Sequence, residues 1–184
     1  MLNNKLRTKL FSYAFTNPDS NHYLRELAGI IGEDPGNLSR ELKKLEREGL
    51  YKTSVRGRMK FYSLNRNYPL FEEYKNIIAK TSGVIGRLRE LTAAFEGIVF
   101  AFIYGSYAKG KDNAGSDIDL VIVGSFEENS FTKDINAIEA QIGREINFTV
   151  YSLEEYLEEK NKSGSFLCEV LKGETIALKR SAEV

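Results

Sequence analysis

The sequence predicts an α+β protein in which a small helical domain carrying a β-hairpin precedes an α/β domain. Three observations carry that expectation. Apolar residues recur at helical spacing three times before residue 50 and then give way to two short strand-like segments. From residue 98 onward, apolar strand-like runs alternate with amphipathic helices. Charge divides along the same line. Residues 1–68 hold 13 Lys and Arg against 7 Asp and Glu, a net +6, whereas residues 69–184 hold 13 against 19, a net −6. A basic first half suits a polyanion, and an acidic second half suits cations.

A first helix is predicted over 5–15, with Leu6, Leu10, Phe11 and Ala14 on one face and Asn17-Pro18-Asp19 as its stop. A second is predicted over 22–31, with Leu24, Leu27, Ala28, Ile30 and Ile31 inward. Asp34 then reads as an N-cap and Pro35 as the first-turn residue of a third helix, with Leu38, Leu42 and Leu45 facing the core and Gly49 ending it. Residues 50–55 and 59–64 read as a hairpin whose tip, Arg56-Gly57-Arg58, is basic. Three helices and such a hairpin make a winged helix.

Residues 70–95 form an apolar-faced helical region, with Gly83 and Gly86 placed to bend or break it. Such a stretch serves either packing or a homodimer interface, and a dimer would suit a two-fold DNA target. Ile98–Tyr104 reads as a buried strand and 117–123 as another. A helix over 130–142, an alternating strand over 144–151, helices over 153–160 and 166–172, and a strand-like 175–178 complete the chain. Glu154, Glu155, Glu158 and Glu159 read as a solvated helix face.

The run with the most chemical content is Gly105-Ser106, ten intervening residues, then Asp117-Ile118-Asp119. Alternate side chains of a strand share a face, so Asp117 and Asp119 are expected about 7 Å apart along it, able to hold hard divalent cations together. Gly105 and Ser106 can approach phosphate oxygens without steric obstruction. The plainer alternative is a loop that the two acids merely cap or solvate.

The strand, Gly-Ser turn, spacing and Asp-x-Asp in apolar context resemble the nucleotidyltransferase superfamily of the DNA polymerase beta type, in particular its minimal nucleotidyltransferase branch. The resemblance extends over residues 96–179 and implies an α/β domain with a small mixed sheet over 96–184. It further implies that Gly105, Ser106, Lys109 and Ser116 bind a nucleoside triphosphate, and that Asp117 and Asp119 are the catalytic acids holding Mg²⁺ or Mn²⁺. Members with activity carry a third carboxylate on the following strand, and the residue here is Asn147, between Ile146 and Phe148. An amide ligates weakly and cannot act as a base, so binding is expected to survive better than transfer. Glu145 shares the strand face of Asn147 and could partly compensate.

Leu38-Ser39-Arg40-Glu41-Leu42-Lys43-Lys44-Leu45-Glu46-Arg47-Glu48-Gly49-Leu50 resembles the third helix of winged helix-turn-helix regulators of the ArsR and MarR-like group. That resemblance covers residues 1–68, leaves 69–95 as a linking helical region, and implies DNA as a partner. Gly36, Asn37, Ser39, Arg40 and Lys43 would face the major groove, and Arg56, Arg58 and Lys60 the phosphates or the minor groove. The alternative is a winged helix used for protein contacts, with its cations solvated.

The remaining composition narrows the field. A single cysteine, Cys168, offers no internal disulfide and reads as a small buried hydrophobe; a single histidine, His22, argues against zinc or histidine catalysis. No apolar run spans a bilayer and the first residues lack a secretory signal, so a cytoplasmic protein without membrane contact is expected. The preferred reading is a transcriptional regulator that binds DNA and NTP with Mg²⁺, with or without nucleotidyl transfer to an acceptor the sequence does not name. The alternatives are an active transferase whose winged helix recruits the acceptor, and an antitoxin-like protein paired with a helical protein partner.

Overall fold

The computed structural model describes residues 4–111 and 116–180. The chain divides into two compact units, Met1–Gly86 with Gln141–Gly143, and Arg87–Ala140 with Arg144–Val184. Residues 112–115 of the loop between Gly-Ser and Asp-x-Asp, and 181–184 at the end of the second expected domain, lie outside the described residues.

The first unit opens with α1 (Lys5–Thr16), capped by the Asn4 side chain, which accepts from the Leu6 amide at 3.0 Å. The second helix expected over 22–31 is shorter than its pattern. His22 and Tyr23 form a two-residue strand, β1, and the helix α2 begins only at Leu24 (Leu24–Ile31). The reason is long-range pairing: His22 lies opposite Tyr62 and Tyr23 opposite Phe61 on β3 (Met59–Leu64). Gly32 ends α2 with a left-handed φ of 62°. Asp34 caps α3 (Pro35–Arg47) by accepting from the Asn37 amide at 2.9 Å. In the hairpin of β2 (Tyr51–Arg56) and β3, Arg56 pairs with Met59, leaving a two-residue turn. Gly57 takes φ 61° there, the conformation that turns with glycine first require. The sheet order is β1-β3-β2, all antiparallel.

The core of this unit joins Leu10, Phe11 and Phe15 of α1 to Leu38, Leu42 and Leu45 of α3, and extends to Phe71 and Ile78 of α4 (Phe71–Lys80). Phe15 packs on Phe71 with ring centroids 5.5 Å apart. The helical region expected over 70–95, with Gly83 and Gly86 placed to bend or break it, is two helices, α4 and α5 (Val84–Ala94), interrupted at 81–83. Gly83 permits the break: its amide bonds the Ile78 carbonyl at 2.6 Å, where a Cβ would lie only 2.8 Å from that oxygen.

The second unit is built on a four-stranded mixed sheet in the order β6-β5-β4-β7. In chain order its elements are β4 (Ile98–Tyr104), the short α6 (Gly105–Ala108), β5 (Ile118–Gly124), α7 (Glu128–Ile142), β6 (Ile146–Tyr151), α8 (Leu153–Glu159), α9 (Phe166–Lys172) and β7 (Ile176–Lys179). β4 is antiparallel to β5 and β7, whereas β5 and β6 are parallel and joined through α7. Period-two alternation assigns the two faces. Ala101, Ile103, Ile118, Leu120 and Ile122 are buried on one side, where Phe131 of α7 meets Phe148 at 5.3 Å. On the other side Phe102, Val121 and Val123 pack with Leu167 of α9, joined by Phe100, Tyr104, Tyr151, Tyr156 and Val170. Lys179 donates to the carbonyls of Thr92 and Phe95, and Arg89 to that of Ala177, so the last strand is tied to α5. No helix among the described residues is long and apolar enough to cross a membrane.

Candidate functional site

The side of the sheet that packs on α8 and α9 ends in polar residues. Asp119 continues the row of Val121 and Val123 beyond the apolar cluster. Register sets Asp119 opposite Tyr104 on β4 and beside Asn147 on β6. Asp117 belongs to the same alternation but lies one residue before β5 rather than within it, and it is exposed. Its carboxylate is engaged: Asn147 donates its amide to Asp117 Oδ2 at 3.2 Å. The residue at the expected third-acid place therefore contacts one of the two acids directly. Glu145, the expected partial substitute, is exposed and lies before β6, which starts at Ile146.

Gly105 and Ser106, expected as a turn, begin α6. A helix of four residues leaves its leading amides without acceptors inside the helix, so those of Gly105 and Ser106 head it with donors to offer. Gly105 has φ 77°, and a Cβ there would stand 2.6 Å from Asp119 Oδ2. The left-handed backbone favours glycine, and a side chain there would push the Asp119 carboxylate aside. Lys109 follows α6 as an exposed residue. Ser116 is half-buried, and its carbonyl accepts from Arg144 Nε at 2.9 Å and again from Nη2.

Arg144 is absent from the residues that sequence reasoning singles out, yet it is 5% exposed and holds the backbone immediately ahead of Asp117. Its guanidinium also lies over the Tyr107 ring, 5.3 Å from the centroid, linking the α6 segment to the entry of β5. A lone arginine between a glycine and a strand carries no periodic signal. Tyr104 is legible in the sequence only as a strand residue. Its ring stands against Phe166 of α9 at 5.6 Å in an edge-to-face arrangement.

Burial raises the Asp119 carboxyl above its ordinary value, and the negative charge of Asp117 pushes it the same way. The Tyr104 hydroxyl is also raised, first by burial and then by Asp119 and Tyr151. Both shifts describe partly desolvated groups beside negative charge, a setting that favours a cation. Two carboxylates supply the hard oxygen donors that Mg²⁺ or Mn²⁺ prefers, and glycine at 105 leaves the approach to Asp119 open. Among the described residues no cluster of three His, Cys, Asp or Glu side chains gathers anywhere. The donor set fits a cation shared with a polyanionic ligand, which would bring the remaining oxygens.

The basic residues of the first unit form a separate group. Asn37, Arg40 and Lys43 of α3 line one groove with Lys5, Lys44 and Arg47, and with the acids Glu33 and Glu41. Ser39 is half-buried, Gly36 is exposed, and Arg40 donates to the Asn37 side chain. Arg56 and Arg58 are exposed on either side of Gly57, with Arg56 over the Phe61 ring at 5.2 Å. Lys60 differs, because it bonds both carboxylate oxygens of Glu46 at 3.0 and 2.9 Å. His22 contacts Tyr13 and Glu26 rather than a ligand-spaced partner, and Cys168 is half-buried.

The polymerase beta nucleotidyltransferase family matches residues 87–181, more than half of the chain and the whole of this sheet. The chain belongs to that family. No curated protein matches it. Among solved structures, a toxin–antitoxin with AMP-PNP is similar at 12% identity and TM-score 0.40, over 54% of this chain and 75% of that one. A mutant form of the toxin–antitoxin MntA-HpeT is similar at 12% identity and TM-score 0.39, over 54% and 76%.

The raised Asp119 carboxyl has a consequence for stability. Between its ordinary value of 3.8 and its higher folded value, the folded protein binds a proton more readily than the unfolded chain, so stability falls as pH rises through that interval. The whole penalty is present at neutral pH. Asp119→Asn is therefore expected to raise the melting temperature at pH 7, with the gain shrinking toward pH 4. Calorimetric melting of both proteins at the two pH values checks it, and a gain of equal size at each would refute the assignment.

Proposed function

We propose that the second unit binds a nucleoside triphosphate together with Mg²⁺ or Mn²⁺, and that the first unit is a winged helix that binds DNA. The chain is then a DNA-binding regulator carrying a nucleotide-binding nucleotidyltransferase domain. The observation that carries the nucleotide half is the close approach at Gly105: the backbone is left-handed there, and a Cβ would stand 2.6 Å from Asp119 Oδ2, so the start of α6 and the acid lie side by side. Phosphate oxygens are drawn to those amides and to Lys109, while Asp117 and Asp119 hold the cation. A bound cation would offset the triphosphate charge and draw electron density from the α-phosphorus.

Transfer would require an acceptor hydroxyl to form a bond to the α-phosphorus while the bond to the bridging oxygen breaks and pyrophosphate leaves. The acceptor proton needs a base. Asn147 cannot take it, and its hydrogen bond ties up an oxygen of Asp117. The arrangement thus supports binding over turnover, and a regulator that reads nucleotide levels is the activity it suits. In the DNA half, the lysines and arginines of the α3 groove and the paired arginines of the hairpin tip would supply phosphate contacts, and Asn37, Ser39, Arg40 and Lys43 would read bases. Lys60 contributes less, since Glu46 offsets its charge.

Restoring the acid is the direct test. Asn147→Asp should increase Mn²⁺-dependent pyrophosphate release from ATP by a factor of about 10² to 10⁴, the range that general-base catalysis supplies. Asp119→Asn should abolish metal-dependent ATP binding by calorimetry without affecting DNA affinity. Wild-type affinity for ATP in that variant would exclude Asp119 from the site.

For the DNA half, Arg56→Ala combined with Arg58→Ala should weaken binding on all sequences alike. The slope of log affinity against log salt should flatten by about two, near one for each phosphate no longer neutralised. An unchanged slope would remove the hairpin tip from the interface.

A further inference from the structure

Large apolar side chains exposed in the second unit lie mostly on α8 and α9, and one of them differs from the rest in its surroundings. Phe166 is 48% exposed, whereas its neighbour Leu167 is fully buried beneath α9. The burial of Leu167 explains why α9 sits on the sheet, and it leaves the exposure of Phe166 unexplained by packing. The ring is nevertheless held firmly. Phe166 is the first residue of α9, directly after the cap Ser165, which accepts from the Cys168 amide at 3.1 Å and donates to the Glu159 carbonyl at 2.6 Å. Its edge-to-face contact with Tyr104 fixes its orientation from the other side.

Tyr104 connects Phe166 to the phosphate-facing residues. It is the last residue of β4, immediately before Gly105, and its register partner on β5 is Asp119. Phe166 therefore lies one aromatic ring beyond the place where the triphosphate and its cation are proposed to sit. A nucleoside triphosphate has its flat, apolar group at the end opposite the terminal phosphate. A half-exposed aromatic ring in contact with the register partner of Asp119 offers the apolar surface that a nucleobase needs and a phosphate does not.

We propose that Phe166, backed by Tyr104, is the stacking platform for the nucleobase of the bound NTP. This rests on the reading of Gly105, Asp117 and Asp119 as the triphosphate site. Stacking uses the π-face that every base has, so the subsite accepts all four common nucleotides with affinities within a few-fold of one another. The larger purine rings are held most tightly. The ring serves affinity and orientation; it touches no reacting atom, so it is a positioning residue rather than a catalytic one.

The chain contains no tryptophan, which makes the test clean. Phe166→Trp introduces a single indole at the platform, and its fluorescence should be quenched by Mg²⁺-ATP and not by Mg²⁺-tripolyphosphate. In calorimetry, Phe166→Ala and Phe166→Leu should each weaken ATP binding about tenfold and leave tripolyphosphate binding unchanged, a loss within the range that removing one base–aromatic stack produces. Phe166→Tyr should bind ATP like the wild type. The leucine variant keeps apolar bulk without a ring, so a loss in both distinguishes stacking from simple packing. Wild-type ATP affinity in the alanine and leucine variants, with tripolyphosphate still bound, would overturn the platform and leave the phosphate site standing. Failure of wild-type protein to bind either ligand would instead overturn the phosphate site and the platform with it.

Discussion

The close approach of the Gly105 backbone to the Asp119 carboxylate is the constraint around which the second unit is arranged. Two strands must end in register for it to occur, because Tyr104 and Asp119 are direct partners on β4 and β5. The chain must then turn at once through a left-handed residue into α6, with no side chain intruding on the acid. Each of these demands is met by a separate feature of the sequence: the apolar run of Ile98–Tyr104, the glycine that follows, and the apolar residues surrounding Asp119. The result is a carboxylate that is partly withdrawn from water before any ligand arrives.

That withdrawal has a cost in the free protein, visible in the raised Asp119 carboxyl and in the second acid two residues away. The surroundings limit the cost by spreading the charge. Asn147 gives Asp117 a hydrogen-bond donor where a third acid would have added repulsion. Arg144 holds the Ser116 carbonyl and leans on Tyr107, fixing the backbone just ahead of Asp117. The loss of a base and the gain of a donor are thus the same substitution. Under the proposed reading, the two acids would hold the cation while no group at position 147 could abstract a proton.

The sequence makes legible whatever is local. The strands around Asp119 and before Gly105 are readable because apolar runs with a clear alternation need no distant partner to be recognised, and the cap at Asp34 and the turn at Gly57 follow from single residues with strong preferences. What stays hidden depends on residues far apart in the chain. β1 exists only because His22 and Tyr23 meet β3 some forty residues later, and two residues give no periodic signal. An interruption follows from Gly83 and Gly86, but its position at 81–83 is set by the Ile78 carbonyl. Asp117 reads as a strand residue, though the ladder begins one residue later, where Ile118 bonds the Glu145 carbonyl. Arg144, Tyr104 and Phe166 have ordinary chemistry in sequence, and they acquire a role only through their neighbours in space.

The contrast between Lys60 and the two arginines of the hairpin tip shows how charge in the first unit is sorted. All three are exposed, and composition treats them alike. Glu46 reaches from α3 to Lys60, and Thr53 donates to the same carboxylate, so this cation braces the hairpin against the helix and lowers the Glu46 carboxyl below its ordinary value. Arg56 and Arg58 lie beyond that brace at a glycine turn, where neither sheet pairing nor core packing calls for a cation. A net +6 over 68 residues is therefore not an even background. The Lys60–Glu46 pair is neutral, as are the pairs of Lys9 with Glu33 and of Arg66 with Asp19, so the excess lies with other cations, among them those of α3 and the tip.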